Sequence, residues 1–548
     1  MENDFLRAEA TWKRIRENEA YKPLIGRLRD EYELYCRDKP IPQILFSDEV
    51  DFIKTGNRTR FENLYFTRRR QLSLYAMYSM LYPETDEYII KLQDVICEIC
   101  NEYSWQLPAH RPAFYPNKRD GLALFSCETG LYLAEIKHML FDRLDPLVTE
   151  RITNELDRRI LKSFESETTW IEELKSNWAA VCGGCIGMTF MYESPERFFR
   201  VQPRIERFMD NYRDGISSDG ATSEGAGYWN YGFSFYMMYY DNLRRFSRGR
   251  GKNGLNDAKM KLFAGFFNDL ILCDGTVTSF SDSSPLVNQA LWLGCFIKRE
   301  YDIDRLPLDM CYIGTEKFSE TVRAFLYYDP ESISRADVHE RLFEELGWYI
   351  KRNKSFGFAV KAGNNGEEHN HNDIGSFIIA KDGKELLCDL GAAEYTASNF
   401  GKDRYKVFNN SSLGHSVPIV NGSEQGTGKD FFGTLDVAGS GITVDMKNAY
   451  PVPVKKLIRH FELHDDIVRL TDKFDSDLKL IERFITEVKP KAEGNTVIID
   501  NAVLSFNKCK EPLITEKHIK AHDGKTIRKV YMIDLIPETD TFELVIKI

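Results

Sequence analysis

Between about residues 60 and 330, apolar side chains recur three and four positions apart, the spacing that lines one face of an α-helix. The stretches FENLYFTRRRQLSLYAMYSML, YIIKLQDVICEIC, GLYLAEIKHMLFDRL and FSFYMMYYDNLRRF all read this way. YPETD, NKRDG, YESPE and SSDG separate them with turn-forming residues. Roughly a dozen helices with short connections predict helical hairpins stacked around an axis. No repeat is strong enough to define a solenoid.

After about residue 340 the pattern shortens. GWYIKRNKSFGFAVKAG, GSFIIAKDGKELLCDLG, HSVPIVNG, GITVDMKNAY and DDIVRLTDKF alternate partially and are rich in Val, Ile and Phe. Gly, Asn and Asp interrupt them at intervals typical of a sandwich. The Asp382-Gly383 pair predicts a tight hairpin, whose ladder would set Asp389 opposite about Ser376. The expected organisation is α+β: helices over 1–335, then an antiparallel β-sandwich over 336–548.

Composition narrows the functional classes. The chain has 548 residues, 43% of them apolar and 29% charged, which fits a soluble protein of two large domains. A net charge of −11 argues against general nucleic-acid binding, though not against an anion held by a local basic patch. No apolar run reaches the length of a membrane span. MENDFLRAEATWKRIREN lacks the apolar core of a secretory signal, so the expected compartment is the cytoplasm. Eleven scattered cysteines agree with reduced thiols. The CxxC spacings at Cys97/Cys100 and Cys182/Cys185 fall in helical sequence and are read as packing residues.

Residues 367–377, EEHNHNDIGSF, concentrate polar chemistry just ahead of an apolar run. If the segment is extended, His369 and His371 point to one face, about 7 Å apart. They then suit either a metal ligand beside a proton-transfer group or a hydrogen-bonded polar turn. Asp389 and His415 complete a plausible zinc set, although simple hairpin geometry does not bring Asp389 to His371. In SNWAAVCGGCIGM, Ser176 or Asn177 fits a helix cap, and the small residues behind them would admit a close neighbour. DGATSEGAGYWNYG carries Glu224, Tyr228, Trp229 and Tyr231, suiting a cleft or ordinary aromatic packing.

Taken together, SNWAAV, DGxxxEGxxYWxYG and HNHND…CDLG…GHSVPIVNG resemble the heparinase II/III group of polysaccharide lyases. The resemblance implies an incomplete α/α toroid followed by an antiparallel β-sandwich. It also implies β-elimination at a uronic acid, giving a 4,5-unsaturated product. Asn177 would neutralise the uronate carboxylate, while His369 and a tyrosine would exchange protons with C5 and O4. Tyr231 fits the tyrosine's place better than Tyr228, by its YG context and its distance from Asn177. His371, Asp389 and His415 would hold one structural Zn2+ bracing the loop that bears His369. Arg404, Tyr405, Trp178, Trp229, Glu224 and His110 are candidate contacts to an anionic uronate-containing oligo- or polysaccharide. Homo-oligomerisation is compatible with this reading. The rival readings are a zinc-dependent carbohydrate hydrolase and a glycan-binding protein without activity.

Overall fold

The computed structural model describes residues 5–111, 121–249, 252–273, 275–286, 288–330, 338–394, 401 and 403–548. The chain forms two compact units. One comprises Met1–Ile216, Asn230–Ala264 and Gln289–Ser334; the other comprises Ser217–Trp229, Gly265–Asn288 and Arg335–Ile548. The boundary expected after residue 335 lies within 331–337, outside the described residues.

The first unit is helical, as the periodicity predicts, and its helices also cover sequence ahead of residue 60, at Glu9–Glu17 and Lys22–Tyr35. Helix Thr59–Leu81 packs on Asp86–Asn101 and on Phe318–Tyr327, which in turn meets Leu124–Leu140. At the centre is Asn177–Glu193, packed against Leu124–Leu140, Pro195–Asp214 and Ser234–Phe246. Its small residues explain the crowding. A Cβ on Gly183 would lie 2.5 Å from the Phe208 Cβ, and one on Gly184 would lie 2.9 Å from the Phe235 carbonyl oxygen. The close neighbours of this run are therefore other helices. Among the described residues, no helix is long and apolar enough to cross a membrane.

The second unit is built mainly from antiparallel sheets. Five strands run in the order 384–387, 377–381, 357–361, 348–352 and 339–343. A four-stranded sheet joins Pro418–Val420, Leu480–Thr486, Ile527–Leu535 and Leu513–Lys520. A nine-stranded sheet includes Leu457–Leu463, Ile467–Phe474 and Thr541–Lys547. Alternate residues of these strands, among them Phe358, Phe377, Phe461, Leu470, Phe484 and Leu544, enclose one apolar core. The hairpin at Asp382-Gly383 forms, but its ladder slips between Glu385 and Leu387, so that Leu387 faces Ile379. That bulge ends the strand at Leu387 and frees Asp389 from the register expected of it.

Candidate active site

The HNHND segment is a folded loop, not the extended strand that the i, i+2 argument assumed. It leaves strand Gly363–Asn365, turns through 366–369, and places His369 at φ 57° before entering strand Phe377–Lys381. Gly375 is needed at the second bend: its φ is +86°, and an added Cβ would lie 2.2 Å from the Met446 sulfur. The fold-back buries His371 and Asp373 completely and leaves His369 with a side chain 21% exposed.

At the centre of the second unit's polar cluster is Asp282, a residue without a recognisable motif in TSFSDSSP. Its Oδ2 accepts from His369 Nδ1 at 2.8 Å and from Arg404 Nη2 at 2.9 Å. Its Oδ1 accepts from His371 Nε2 at 3.1 Å. Burial alone would raise the Asp282 carboxyl, but these donors hold it far below the usual carboxylate range. Burial also works against the charged form of His369, yet Asp282 and Glu224 outweigh it and raise that imidazole above its ordinary value. His369 Nε2 lies 3.9 Å from Glu224 Oε1, and its ring packs on Tyr228 with centroids 4.3 Å apart. Arg404 also donates to the Asn370 carbonyl at 3.0 Å, so part of its guanidinium braces this loop. Tyr405, in the same short turn, is half-buried, whereas Trp229 is buried against Phe267.

Behind this cluster, His371, Asp373 and His415 form a buried group that could hold a metal ion, with ligand atoms within 4.8 Å of one another. The donors fit. Burial lowers the His371 imidazole below its ordinary value, and its Nε2–H donates to Asp282 Oδ1. Its Nδ1 and Asp373 Oδ2 are buried without hydrogen-bond partners, as two vacant lone pairs aimed at a cation would be. His415 donates from Nε2 to the Asn409 carbonyl at 2.7 Å, and its Nδ1 lies 3.0 Å from Asp389 Oδ2. A metal bound to Nδ1 would replace the proton that now bridges to Asp389. Asp389 is thus beside the group, and Asp373 takes the place in it that the sequence reading gave to Asp389.

The first unit holds a separate cluster. Asn177 opens its helix at the first position after Ser176, whose side chain makes no capping bond. A Cβ on Gly232 would lie 3.0 Å from the Asn177 Cβ, so Asn177 adjoins the residue next to Tyr231. The Tyr231 hydroxyl donates to Glu128 Oε1, and Tyr132 donates to Oε2 of the same buried carboxylate. Lys317 sits over the Tyr231 ring, 4.2 Å from its centroid. Burial raises Tyr231 well above its ordinary value, and the Glu128 charge adds to the effect. Trp178 is half-buried between Trp170 and His110, at 5.2 and 5.0 Å. Burial pushes His110 down to about 3, so it is a neutral packing imidazole. The sequence reading missed Asp282, Glu128 and Lys317. Each is a single charged residue outside any motif, and the contacts that join it to its cluster include ones distant in sequence: Asp282 to His369, Glu128 to Tyr231, Lys317 to Tyr231.

A helical N-terminal region followed by antiparallel sheets is the architecture of the heparinase III and chondroitin AC lyase structures. Heparinase III superposes with a TM-score of 0.61 at 13% identity, covering 98% of this chain and 91% of that one. Heparan sulfate lyase HepC from Pedobacter heparinus gives 0.59 at 11%, over 97% and 84%. Streptomyces coelicolor A3 chondroitin AC lyase, in complex with chondroitin sulphate, gives 0.56 at 11%, over 99% and 82%. Residues 336–475 match the family model described as heparinase II/III-like, C-terminal. No curated protein matches the sequence.

Proposed function

We propose that this protein is a lyase that cleaves a uronate-containing glycan by β-elimination. The observation that carries the reading is His369, which lies within the segment that matches the family model: its side chain is partly exposed, fixed through Nδ1, and presents Nε2 beside Glu224 and Tyr228. In this reading Nε2 takes the C5 proton. The C5–H electron pair becomes the C4=C5 bond as the C4–O4 bond breaks, and O4 leaves with a proton from a tyrosine. Tyr231 is assigned that step by its YG context and by its place next to Gly232, which adjoins Asn177. The resemblance assigns Asn177 to the uronate carboxylate, whose neutralisation favours the enolate-like transition state over the ground state.

His371, Asp373 and His415 would hold a zinc ion, with Asp389 beside His415. The ion would supply order to the loop that carries His369. Complete burial of these three side chains favours this over a hydrolytic metal, which needs a coordination position open to substrate. The test is a panel of uronate-containing polysaccharides and oligosaccharides, read by the ultraviolet absorbance of an unsaturated product. Saturated products alone would transfer the assignment to a hydrolase, and no turnover on any of them would favour binding.

A further inference from the structure

The lyase reading names a base but not what prepares it. We propose that Asp282 is the positioning residue of this site: its carboxylate fixes His369 in the Nδ1–H tautomer and so leaves Nε2 to receive the proton. The inference rests on the lyase reading for its catalytic part only.

Three features support it. The first is the hydrogen bond itself. Asp282 Oδ2 lies 2.8 Å from His369 Nδ1, and an ionised carboxylate only accepts, so Nδ1 carries the hydrogen. A neutral imidazole with its proton on Nδ1 has its lone pair on Nε2, the nitrogen nearer Glu224. The second is how firmly the acid is held. Arg404 Nη2 and His371 Nε2 both donate to it, at 2.9 and 3.1 Å, and the side chain is 0% exposed. The turn bearing it is pinned by the Ala392 amide, which donates to the Ser283 carbonyl at 2.9 Å. The third is the backbone. Ser281, next to Asp282, has φ 65°, and His369 has φ 57°. Non-glycine residues adopt this region where surrounding contacts impose it, and here one is His369 itself and the other directly precedes Asp282.

The chemical consequence follows from charge. When Nε2 takes the C5 proton, the ring becomes an imidazolium with its second proton still on Nδ1. Asp282 faces that proton and remains ionised, offsetting the new charge without taking the proton itself. Because Oδ1 holds Nε2 of His371 in the same way, one carboxylate sets the tautomers of both histidines, in opposite senses.

The test uses the full chain with 15N-labelled histidine, the His369 signals being assigned by their loss in His369→Gln. At alkaline pH, where imidazoles are neutral, wild type should show a protonated Nδ1 and a bare Nε2. In Asp282→Ala the proton should move towards Nε2. Its kcat should fall by about 10²–10⁴-fold with KM changed only a few-fold, and added formate should restore part of both tautomer and turnover. A wild-type His369 protonated on Nε2 overturns the proposal whether or not the variant folds. A wild-type product with unchanged turnover in folded Asp282→Ala overturns the Asp282 assignment alone. No unsaturated product from wild type, with the tautomer as stated, removes the lyase reading and with it Asp282's catalytic role.

Discussion

Substituting one buried acid should make this protein more stable. Arg459, Asp472 and Glu482 occupy inward-facing positions on three strands of the second unit, with side chains 0% exposed. Arg459 and Asp472 are direct cross-strand partners. The guanidinium donates to Asp472 at 2.6 Å, to Glu482 Oε2 at 2.9 Å, and to the carbonyls of Gly375 and Ser416 at 2.9 and 2.8 Å. One cation therefore faces two acids. Burial, reinforced by the Asp472 charge, holds Glu482 well above its usual 4.5, so it keeps its proton in the native state. In the unfolded chain that proton is released above the usual value. Stability therefore falls as pH rises from there, by about 1.4 kcal/mol per pH unit. Glu482→Gln keeps the shape of the protonated acid and an oxygen to accept from Arg459, and it has no proton to lose. It should be more stable than wild type near pH 7 and lose this part of the pH dependence. Adding Asp472→Asn to it strands the Arg459 charge and should cost about 3–5 kcal/mol. Urea unfolding across pH, with hydrogen exchange of peptides spanning 457–486, measures both. A Glu482→Gln protein less stable than wild type near pH 7, or with the wild-type pH slope, would place the negative charge on Glu482 and refute the argument.

His369→Ala should remove most of the turnover, by about 10²–10⁴-fold, while metal content and melting temperature stay near wild type; His371→Ala should lower all three. Tyr231→Phe should abolish formation of the unsaturated product and Tyr228→Phe should be mild, as steady-state rates will show. Elemental analysis of protein purified without chelator should find about one zinc per chain. Asp373→Asn should lose that zinc, and retention of full occupancy would exclude Asp373 from the ligand set. Chelation should lower the melting temperature of the second unit, because metal binding contributes to folding.

The helical and strand-rich halves were legible because both are written locally, in 3.6-residue and two-residue periods. HNHND was legible for a different reason: two histidines among asparagines just before a core strand are costly to bury without partners. What could not be read is how such a loop folds back. An i, i+2 pair shares a face only on an extended strand, and left-handed conformations at His369 and Gly375 bend this segment twice. Asp373 therefore joins the buried group that the sequence reading had completed with Asp389. A bulge after Glu385, invisible in the alternation of ELLCDLG, ended the ladder on which Asp389 was placed. Asp282 shows the deeper limit. Its partners are 87, 89 and 122 residues away, and nothing within TSFSDSSP distinguishes it from a surface turn.

The division of the chain has a consequence for its synthesis. Residues 217–229 and 265–288 belong to the second unit but leave the ribosome well before 335–548 exist. Tyr228 and Asp282 thus emerge among helical sequence, and the nearby Phe280 lacks the strand residue Trp348 that will pack against it. The first unit is likewise incomplete until 289–334 has been made. Neither unit can finish in strict order behind the translating ribosome, and a nascent chain stalled near residue 335 would present unburied aromatic surface of the kind chaperones bind.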